Sequence, residues 1–234
     1  MVPPLPQHSG GRLLESGANG AYTAAEMDTV SDLGVVSAVL AGISLSAASG
    51  LRVFVPILAL GLAGRFELLP ISEQFLWMTS DPVLVVVGLA ALMEAGTYYV
   101  PLLDNLLDVL ATPAALAGGT VIVASLLPEM NPATQWVTAA VLGGGTAGVV
   151  QGSTVLARGL STASTGGIGN PVIATGETGG SLLAVILAVF LPIVFGVIVI
   201  AAILALFIWL VRRVRNRKQR RALPADPAER RPPA

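Results

Sequence analysis

The strongest constraint on this chain is an uncharged apolar run, residues 182–211, that a basic block follows at once. As one helix the run would be about 45 Å long, whereas the hydrocarbon core of a bilayer is about 30 Å thick. We therefore expect a single tilted or kinked membrane crossing here. Because cytoplasmic flanks are enriched in Lys and Arg, the basic block at residues 212–221 predicts a cytoplasmic C-terminus.

The composition indicates that lipid is the main partner of the whole chain. Hydrophobic residues make up 54% of it and charged residues 12%, whereas soluble domains carry about 25% charged residues. The sequence therefore predicts an all-α, polytopic transmembrane helix bundle of five to six segments in the bacterial inner membrane. Nine of the 13 basic residues lie at or after position 212. We expect this strip to contact anionic lipid headgroups, and we expect no nucleic-acid partner.

Several kinds of chemistry are excluded by the residue counts. The chain has no cysteine, its only histidine is His8 in a polar leader, and its only lysine is Lys218 in the tail. Thiolate or histidine metal sites and Ser-His catalysis therefore lack their residues. Asp104, Asn105 and Asp108 are oxygen ligands that Glu177 could join, but they match no metal signature. We predict no metal, no cofactor and no catalytic residue, and an enzyme is the least favoured class.

The chain divides into three parts. Residues 1–32 are rich in Pro, Gly and acidic residues and lack a signal-peptide pattern, so we expect a disordered leader, with Met27 as an alternative start. Residues 33–211 form the transmembrane domain, and residues 212–234 form a basic, disordered cytoplasmic tail. The apolar stretches within the domain are 33–64, 82–103, 109–127, 133–157 and 182–211.

The topology has two open alternatives. Five crossings place the N-terminus outside, whereas a hairpin in residues 33–64 gives six crossings and places it inside. The oligomeric state is equally open. A glycine-rich face at residues 143–148 suits close helix contact within one chain or in a homo-oligomer.

Two interruptions of the apolar pattern predict irregular membrane segments. Arg52 and Pro56 interrupt the first stretch; a buried charge costs about 2.5–3.5 kcal/mol on insertion scales, and proline breaks a helix. We therefore expect a broken or re-entrant segment near residues 44–56. A second is expected near 158–171, within a 24-residue polar connection at 158–181, with a plain external loop as the alternative.

These two interruptions resemble each other in sequence. Residues 45–61 and 160–176 align without gaps with seven identities in 17 positions, and Pro56 matches Pro171. Transporters often contain internal repeats whose broken helices form the binding site. Shared small-residue composition explains the match equally simply, and we regard it as the simpler interpretation.

A third polar cluster surrounds Glu94, near the middle of the segment 82–103. An ionised carboxylate is costly at that depth and a protonated one much less so, so Glu94 suits a proton or cation path. Residues 97, 98, 101, 105 and 108 follow on one helical face, with Asp104 beside them. The alternative is structural: Glu94 pairs with Arg52, while Asp104 and Asp108 cap the following helix.

From these patterns we predict that one set of residues lines a substrate or ion path. Its members come from the three polar regions and share side chains that can hold a proton or a solute. They are Ser46, Ser49, Arg52, Glu94, Tyr98, Asp104, Asn105, Asp108, Arg158, Ser161, Ser164, Thr165, Asn170 and Glu177.

Three sequence blocks resemble a known family. They are ISLSAASGLRVFVP at 43–56, YYVPLLDNLLD at 98–108 and STASTGGIGNP at 161–171. Together they are similar to uncharacterised bacterial integral membrane proteins known as a domain of unknown function of the DUF4126 type, over residues 34–200. Some members have Asp-Lys where this chain has Tyr98-Tyr99, so a role of that charged pair does not transfer. The resemblance implies the fold and the membrane location, and it implies no activity.

Two classes of function remain open. The first is a small transporter or channel for an ion or a small anionic solute, in which Arg52 and Arg158 hold the anion and Glu94 carries a proton. The second is a non-transporting membrane assembly or envelope structural protein, in which the same small residues pack helices.

Overall fold

The computed structural model describes residues 32–97 and 101–222, with side chains over 32–96 and 110–216. All regular structure in these ranges is helical, so the predicted all-α class is confirmed. The helices are α1 Asp32–Ser49, α2 Phe54–Arg65, α3 Asp81–Thr97, α4 Pro101–Leu126, α5 Pro132–Ala139, α6 Gly145–Thr165, α7 Asn170–Phe190 and α8 Pro192–Ala222. A 3₁₀ helix, Glu73–Thr79, precedes α3, and a π-helical turn, Ala140–Gly144, joins α5 to α6.

The helices have the length and composition of membrane spans. Four qualify among the described residues: α1, the continuous 34-residue helix Pro132–Thr165, α7, and the Pro192–Asn216 part of α8. The 3₁₀ helix and α3 make a fifth if they count as one span with a bend of 63°. The described residues therefore form a helix bundle with four to five candidate membrane-spanning helices. The sequence predicted five to six segments, so the two ranges agree at five.

Helices α1 and α2 form a hairpin against α4. Near the end of α1, the Ser46 hydroxyl donates a hydrogen bond of 2.9 Å to the Gly119 carbonyl of α4. The chain turns at residues 50–53, and after α2 the Ser72 hydroxyl donates 3.0 Å to the Ser125 carbonyl. Both arms therefore run beside the same helix in opposite directions. The predicted break near 44–56 is confirmed.

Both arms of this hairpin end at one face of the bundle, which we call the cavity end. A cavity of about 520 Å³ lies there, between the start of α1, the segment after α2, the end of α4 and the α7–α8 junction. Its lining includes Val35, Ala38, Leu69, Leu127 and Pro192. The start of α1 thus lies beside the chain that leaves α2, as a re-entrant hairpin requires.

The turn of the hairpin lies about halfway through the bundle. Val53 packs in one buried cluster with Ala115 of α4 and Ala147 of α6. Ala115 precedes the end of α4 by 11 residues, which corresponds to about 16 Å of helix. That distance is about half the hydrocarbon thickness of a bilayer. The hairpin therefore starts and ends at the cavity end and turns at mid-depth of the bundle.

The expectation of one crossing over residues 182–211 is wrong, because α7 ends at Phe190 and α8 begins at Pro192. Leu191 leaves the helical conformation with φ −133° and ψ 51°, as the residue before a proline tends to do. The two helices then run in opposite directions along α1. The Ser181 hydroxyl donates to the Ala48 carbonyl over 3.3 Å, whereas Gly196 lies against Leu40, nearer the start of α1.

The second interruption is a helix break, but the 24-residue connection expected at 158–181 is wrong. Helix α6 continues to Thr165, and α7 begins at Asn170 after a turn of residues 166–169. Gly166 and Gly167 have φ of 66° and 91°, a conformation that glycine adopts without steric cost. Each of the two similar segments is thus a helix, a four-residue turn and a helix whose first turn contains Pro56 or Pro171.

The hairpin predicts which loops share one side of the membrane. We expect single cysteines at Gly34, Leu68 and Glu129 to react together with an impermeant maleimide, because all three positions border the cavity end. A cysteine at Ser164, near the turn at residues 166–169, should react only from the opposite side. Labelling at Leu68 from the same side as Ser164 would show that α2 completes a crossing.

Close packing at Gly143 predicts a strong effect of a single methyl group. A Cβ atom at Gly143 would lie 2.1 Å from the Gly119 carbonyl oxygen, whereas one at Gly145 would meet nothing within 4 Å. We expect Gly143→Ala to cost about 1–3 kcal/mol through overpacking. The matched Gly145→Ala should be neutral or stabilise the helix by up to about 1 kcal/mol. Thermal unfolding of both variants in detergent measures the difference.

Candidate functional site

The hairpin turn holds Arg52 inside the bundle, where only 1% of the residue is exposed. Its Nε donates 3.0 Å to the Thr178 hydroxyl, and its Nη2 donates 2.8 Å to the Ala174 carbonyl. Thr178 and Ala174 are one turn apart on α7, so the guanidinium fork spans that turn. Arg52 therefore fastens the mid-depth turn to α7.

A second buried arginine approaches the same turn of α7 from α6. Arg158 donates from Nε over 3.1 Å to one oxygen of Glu177 and from Nη2 to the other, which gives a bidentate pair. The Arg52 Nη2 lies 3.8 Å from a Glu177 oxygen. Glu177 and Arg158 are 5% and 6% exposed. One carboxylate thus joins α6, α7 and the hairpin turn.

Glu94 of α3 caps the beginning of α2. Its carboxylate accepts hydrogen bonds of 2.8 Å from the Val53 N–H and 3.0 Å from the Phe54 N–H. The first N–H groups of any helix lack intrahelical partners, and no side-chain cap comes from Val53 itself. The positive end of the helix dipole favours a negative group at this place. Glu94 therefore satisfies backbone donors that would otherwise be left unpaired in the middle of the bundle.

These contacts assemble two arginines and two glutamates from four elements around the hairpin turn. Arg52 and Glu94 also lie near enough for their charges to interact. The four formal charges cancel when both glutamates are ionised. Uncompensated charge is expensive in a protein interior, so the balance is what allows Arg52, Arg158 and Glu177 to be buried, with Glu94 partly buried beside them. The group of Arg52, Glu94, Arg158 and Glu177 is hereafter the charge cluster.

The two serines predicted in the first interruption are both fully buried. Ser46 bonds the Gly119 carbonyl and holds α1 to α4. The Ser49 hydroxyl oxygen has no hydrogen-bond partner within the described part of the chain. The structure therefore places Ser46 in helix packing and leaves Ser49 as an unsatisfied polar group beside the turn.

The residues predicted at the second interruption bond within their own hairpin. Ser164 donates to Leu160, and Thr165 donates to the Ser161 carbonyl. The Asn170 amide donates 3.2 Å to the Thr162 hydroxyl. The first two of these hydrogen bonds lie within α6, and the third joins the two sides of the turn between α6 and α7. None of those described joins the charge cluster.

Part of the predicted path lies outside the described side chains. Tyr98 falls outside the described residues, and Asp104, Asn105 and Asp108 lie on the backbone of α4 where no side chain is described. The described residues contain no group of three or more acidic or histidine side chains that could hold a metal ion.

A family model matches most of the chain, and the matched range contains the whole charge cluster. The match covers residues 39–213, and the family is described as Domain of unknown function (DUF4126). The chain belongs to this family. No curated protein and no solved structure matches it. The DUF4126 description carries no activity, so the function has to be argued from the charge cluster.

Sequence reasoning missed Thr178 and the Ala174 carbonyl as partners of Arg52. Both lie in residues 158–181, which the sequence analysis interpreted as an irregular polar connection with a re-entrant segment, so helical spacing was not applied there. Read as a helix, residues 174, 177 and 178 share one face. Helical spacing of these residues was therefore the one pattern in the sequence that could have identified them as partners of Arg52.

The shared carboxylate predicts a large cost for its removal. Glu177→Ala leaves two buried guanidinium groups without their common acceptor, and breaking a buried pair costs about 3–5 kcal/mol. Asp81 pairs with Arg65 at an exposed site, where the Arg65 side chain is 43% exposed and the Asp81 side chain is 77% exposed. Asp81→Ala should therefore cost no more than about 1 kcal/mol. Equal thermal shifts of the two variants in detergent would contradict a structural role of Glu177.

Proposed function

We propose that this protein is a small inner-membrane transporter of anions, coupled to protons through Glu94. The observation that carries the proposal is the Glu94 carboxylate on the Val53 and Phe54 N–H groups at mid-depth. Broken helices whose N-termini point at an anionic group near the bilayer centre are a feature of transporter sites. The apolar helices support the membrane location.

The place that Glu94 occupies is chemically an anion site. Two backbone N–H groups and the positive end of α2 attract negative charge, and Arg52 immediately precedes them. A carboxylate already fills the position, so its donors suit an oxyanion or a halide. A solute anion would bind there by replacing the Glu94 side chain.

Protonation of Glu94 would favour that replacement. A neutral carboxylic acid loses its attraction to the helix N-terminus and to Arg52, whereas an arriving anion restores it. Proton binding and anion binding therefore support each other, and the coupling is reciprocal. The two species would cross together, as in a symporter. The net charge of the cluster is the same with either anion in place.

The orientation of the protein in the membrane, with a cytoplasmic C-terminus, is part of the same proposal. Arg213 lies over the Trp209 ring at 4.9 Å, near the end of α8, and the basic residues beyond it suit a cytoplasmic surface with anionic headgroups at 212–221. Helix α8 runs from the cavity end toward this tail. Because the reversal between α7 and α8 adds one pass to the count expected from the sequence, the hairpin is compatible with an N-terminus and a cavity end that face the periplasm.

The second candidate is a non-transporting assembly or envelope structural protein, alone or as a homo-oligomer. Its supporting observation is the contact between Gly119 and Gly143 of one chain, where α4 and the π turn of the following helix meet backbone to backbone, because small residues that only pack helices need no solute path. Close approach at small residues is typical of helix packing in membranes. In this reading the charge cluster only locks the hairpin to α6 and α7.

Glu94→Gln separates the two candidates. The amide oxygen can still accept from Val53 or Phe54, so we expect folding and yield to be retained. The side chain can no longer gain or lose a proton, so anion uptake should lose its dependence on a pH gradient. Proteoliposomes with an internal pH dye, challenged with chloride, acetate and phosphate gradients, measure both fluxes.

Glu67→Gln is the matched control, because Glu67 is an exposed carboxylate in the segment after α2. It should leave proton-coupled flux unchanged. Wild-type vesicles that carry none of the three anions faster than protein-free vesicles would contradict the transporter proposal. A Glu94→Gln variant that fails to fold would favour the structural candidate.

A further inference from the structure

Two donors of the Arg52 guanidinium go to uncharged oxygens of α7. Its Nε donates 3.0 Å to the Thr178 hydroxyl, and its Nη2 donates 2.8 Å to the Ala174 carbonyl. The same Nη2 lies 3.8 Å from a Glu177 oxygen, which is beyond the length of a hydrogen bond. The Nη2 of Arg52 is therefore held next to a carboxylate at a distance.

The Thr178 hydroxyl is itself fixed in orientation. It donates 3.0 Å to the Ala174 carbonyl, so its oxygen is left to accept from the Arg52 Nε. The Ala174 carbonyl receives both this hydroxyl and the Arg52 Nη2. These hydrogen bonds form a closed ring with the guanidinium, and the ring determines where the guanidinium plane lies.

Glu177 is the group to which Arg52 would turn without this ring. Its carboxylate already accepts the two bonds from Arg158, but an ionised carboxylate has lone pairs for about four donors. A donor that loses its acceptor in a protein interior is costly. If the Nε of Arg52 lost Thr178, rotation toward Glu177 would give it a new acceptor.

The position of Arg52 decides how much positive charge acts at the start of α2. Among the described residues, Arg52 and Glu177 are the charged groups that act on Glu94, and they have opposite signs. Coulomb energy falls with distance. Rotation of Arg52 toward Glu177 would therefore bring the two charges closer to cancelling each other and leave less positive charge beside Glu94.

We propose that Thr178 is a positioning residue of the anion site, whose hydroxyl keeps Arg52 turned away from Glu177 so that its positive charge acts on Glu94 or on the anion that replaces it. The inference rests on the proposed function and names a residue that sets the anion affinity and pH dependence of that site. Thr178 acts only through Arg52.

Thr178→Val removes the hydroxyl and keeps the shape of the side chain. In proteoliposomes with chloride, acetate or phosphate, we expect the KM for the anion to rise about fivefold with little change in maximal rate, because the anion meets less positive charge. The pH dependence of uptake should move to higher pH by about 0.7 unit, the same factor in proton concentration. A general loss of folded protein would lower the maximal rate and move neither quantity.

Two matched variants isolate the hydroxyl. Thr178→Ser retains it and should restore the wild-type KM and pH dependence. Thr175→Val makes the same chemical change on the same helix, where the exposed Thr175 hydroxyl donates 2.8 Å to the Pro171 carbonyl. Because that hydroxyl bonds only within α7 in the described contacts, Thr175→Val should behave as wild type.

A measurement without transport separates this inference from the proposed function. An anion that binds the folded protein raises its unfolding temperature. In detergent at mildly acidic pH, with gluconate at equal ionic strength as the reference, we expect chloride, acetate or phosphate to stabilise wild type and Thr178→Ser. Thr178→Val should need about fivefold more of the same anion for the same rise.

Contrary results are specific to each proposal. Anion transport with an unchanged KM and pH dependence in Thr178→Val would overturn this inference and keep the proposed function, and so would the same shifts in Thr178→Ser or Thr175→Val. Weaker anion stabilisation of Thr178→Val in a protein that moves no anion would overturn the proposed function and keep the role of Thr178. Neither stabilisation nor transport in wild type would overturn both. If Thr178→Val does not fold, Thr178→Ala removes the same hydroxyl and replaces it.

Discussion

The structure depends on how the start of α2 satisfies its backbone. A helix that begins in the middle of a bundle of apolar helices leaves N–H groups that need acceptors at that place. Glu94 accepts two of them, from Val53 and Phe54. A carboxylate placed there needs positive charge nearby, and Arg52 supplies it. Arg52 in turn needs acceptors, which α7 provides through Thr178 and Ala174. The arrangement of α3 and α7 around the hairpin follows from this chain of requirements.

The break at residues 50–53 was predictable because Arg52 and Pro56 interrupt an apolar run with a charge and a missing backbone donor. The break at Leu191 was not predictable, because no polar residue lies at it. An uncharged apolar segment that reverses direction has the same composition as one that continues as a single helix. Pro192 was its only mark. Proline inside a membrane helix is common enough that it does not by itself indicate a reversal.

The candidate site was predictable in its charged residues and not in its geometry. Arg52, Glu94, Arg158 and Glu177 are conspicuous because charge is rare in this chain. Their connections depend on where α6 ends, and the many Ser, Thr and Gly residues at 158–169 favour a loop by composition although most of them are helical. The bonds from Glu94 to backbone N–H groups leave no trace in residue types. A side chain that pairs with the main chain can be found only from the fold.

The π turn at Ala140–Gly144 gives the long helix Pro132–Thr165 a special geometry. Such a turn holds one more residue than the α-helical path requires, and it sits where the helix passes the glycines of α4. Each residue advances an α-helix by about 100°. The extra residue therefore sets the rotation of everything after it, and it turns Arg158 toward Glu177. The direction in which Arg158 points from α6 therefore depends on the π turn, which lies about four helical turns before it.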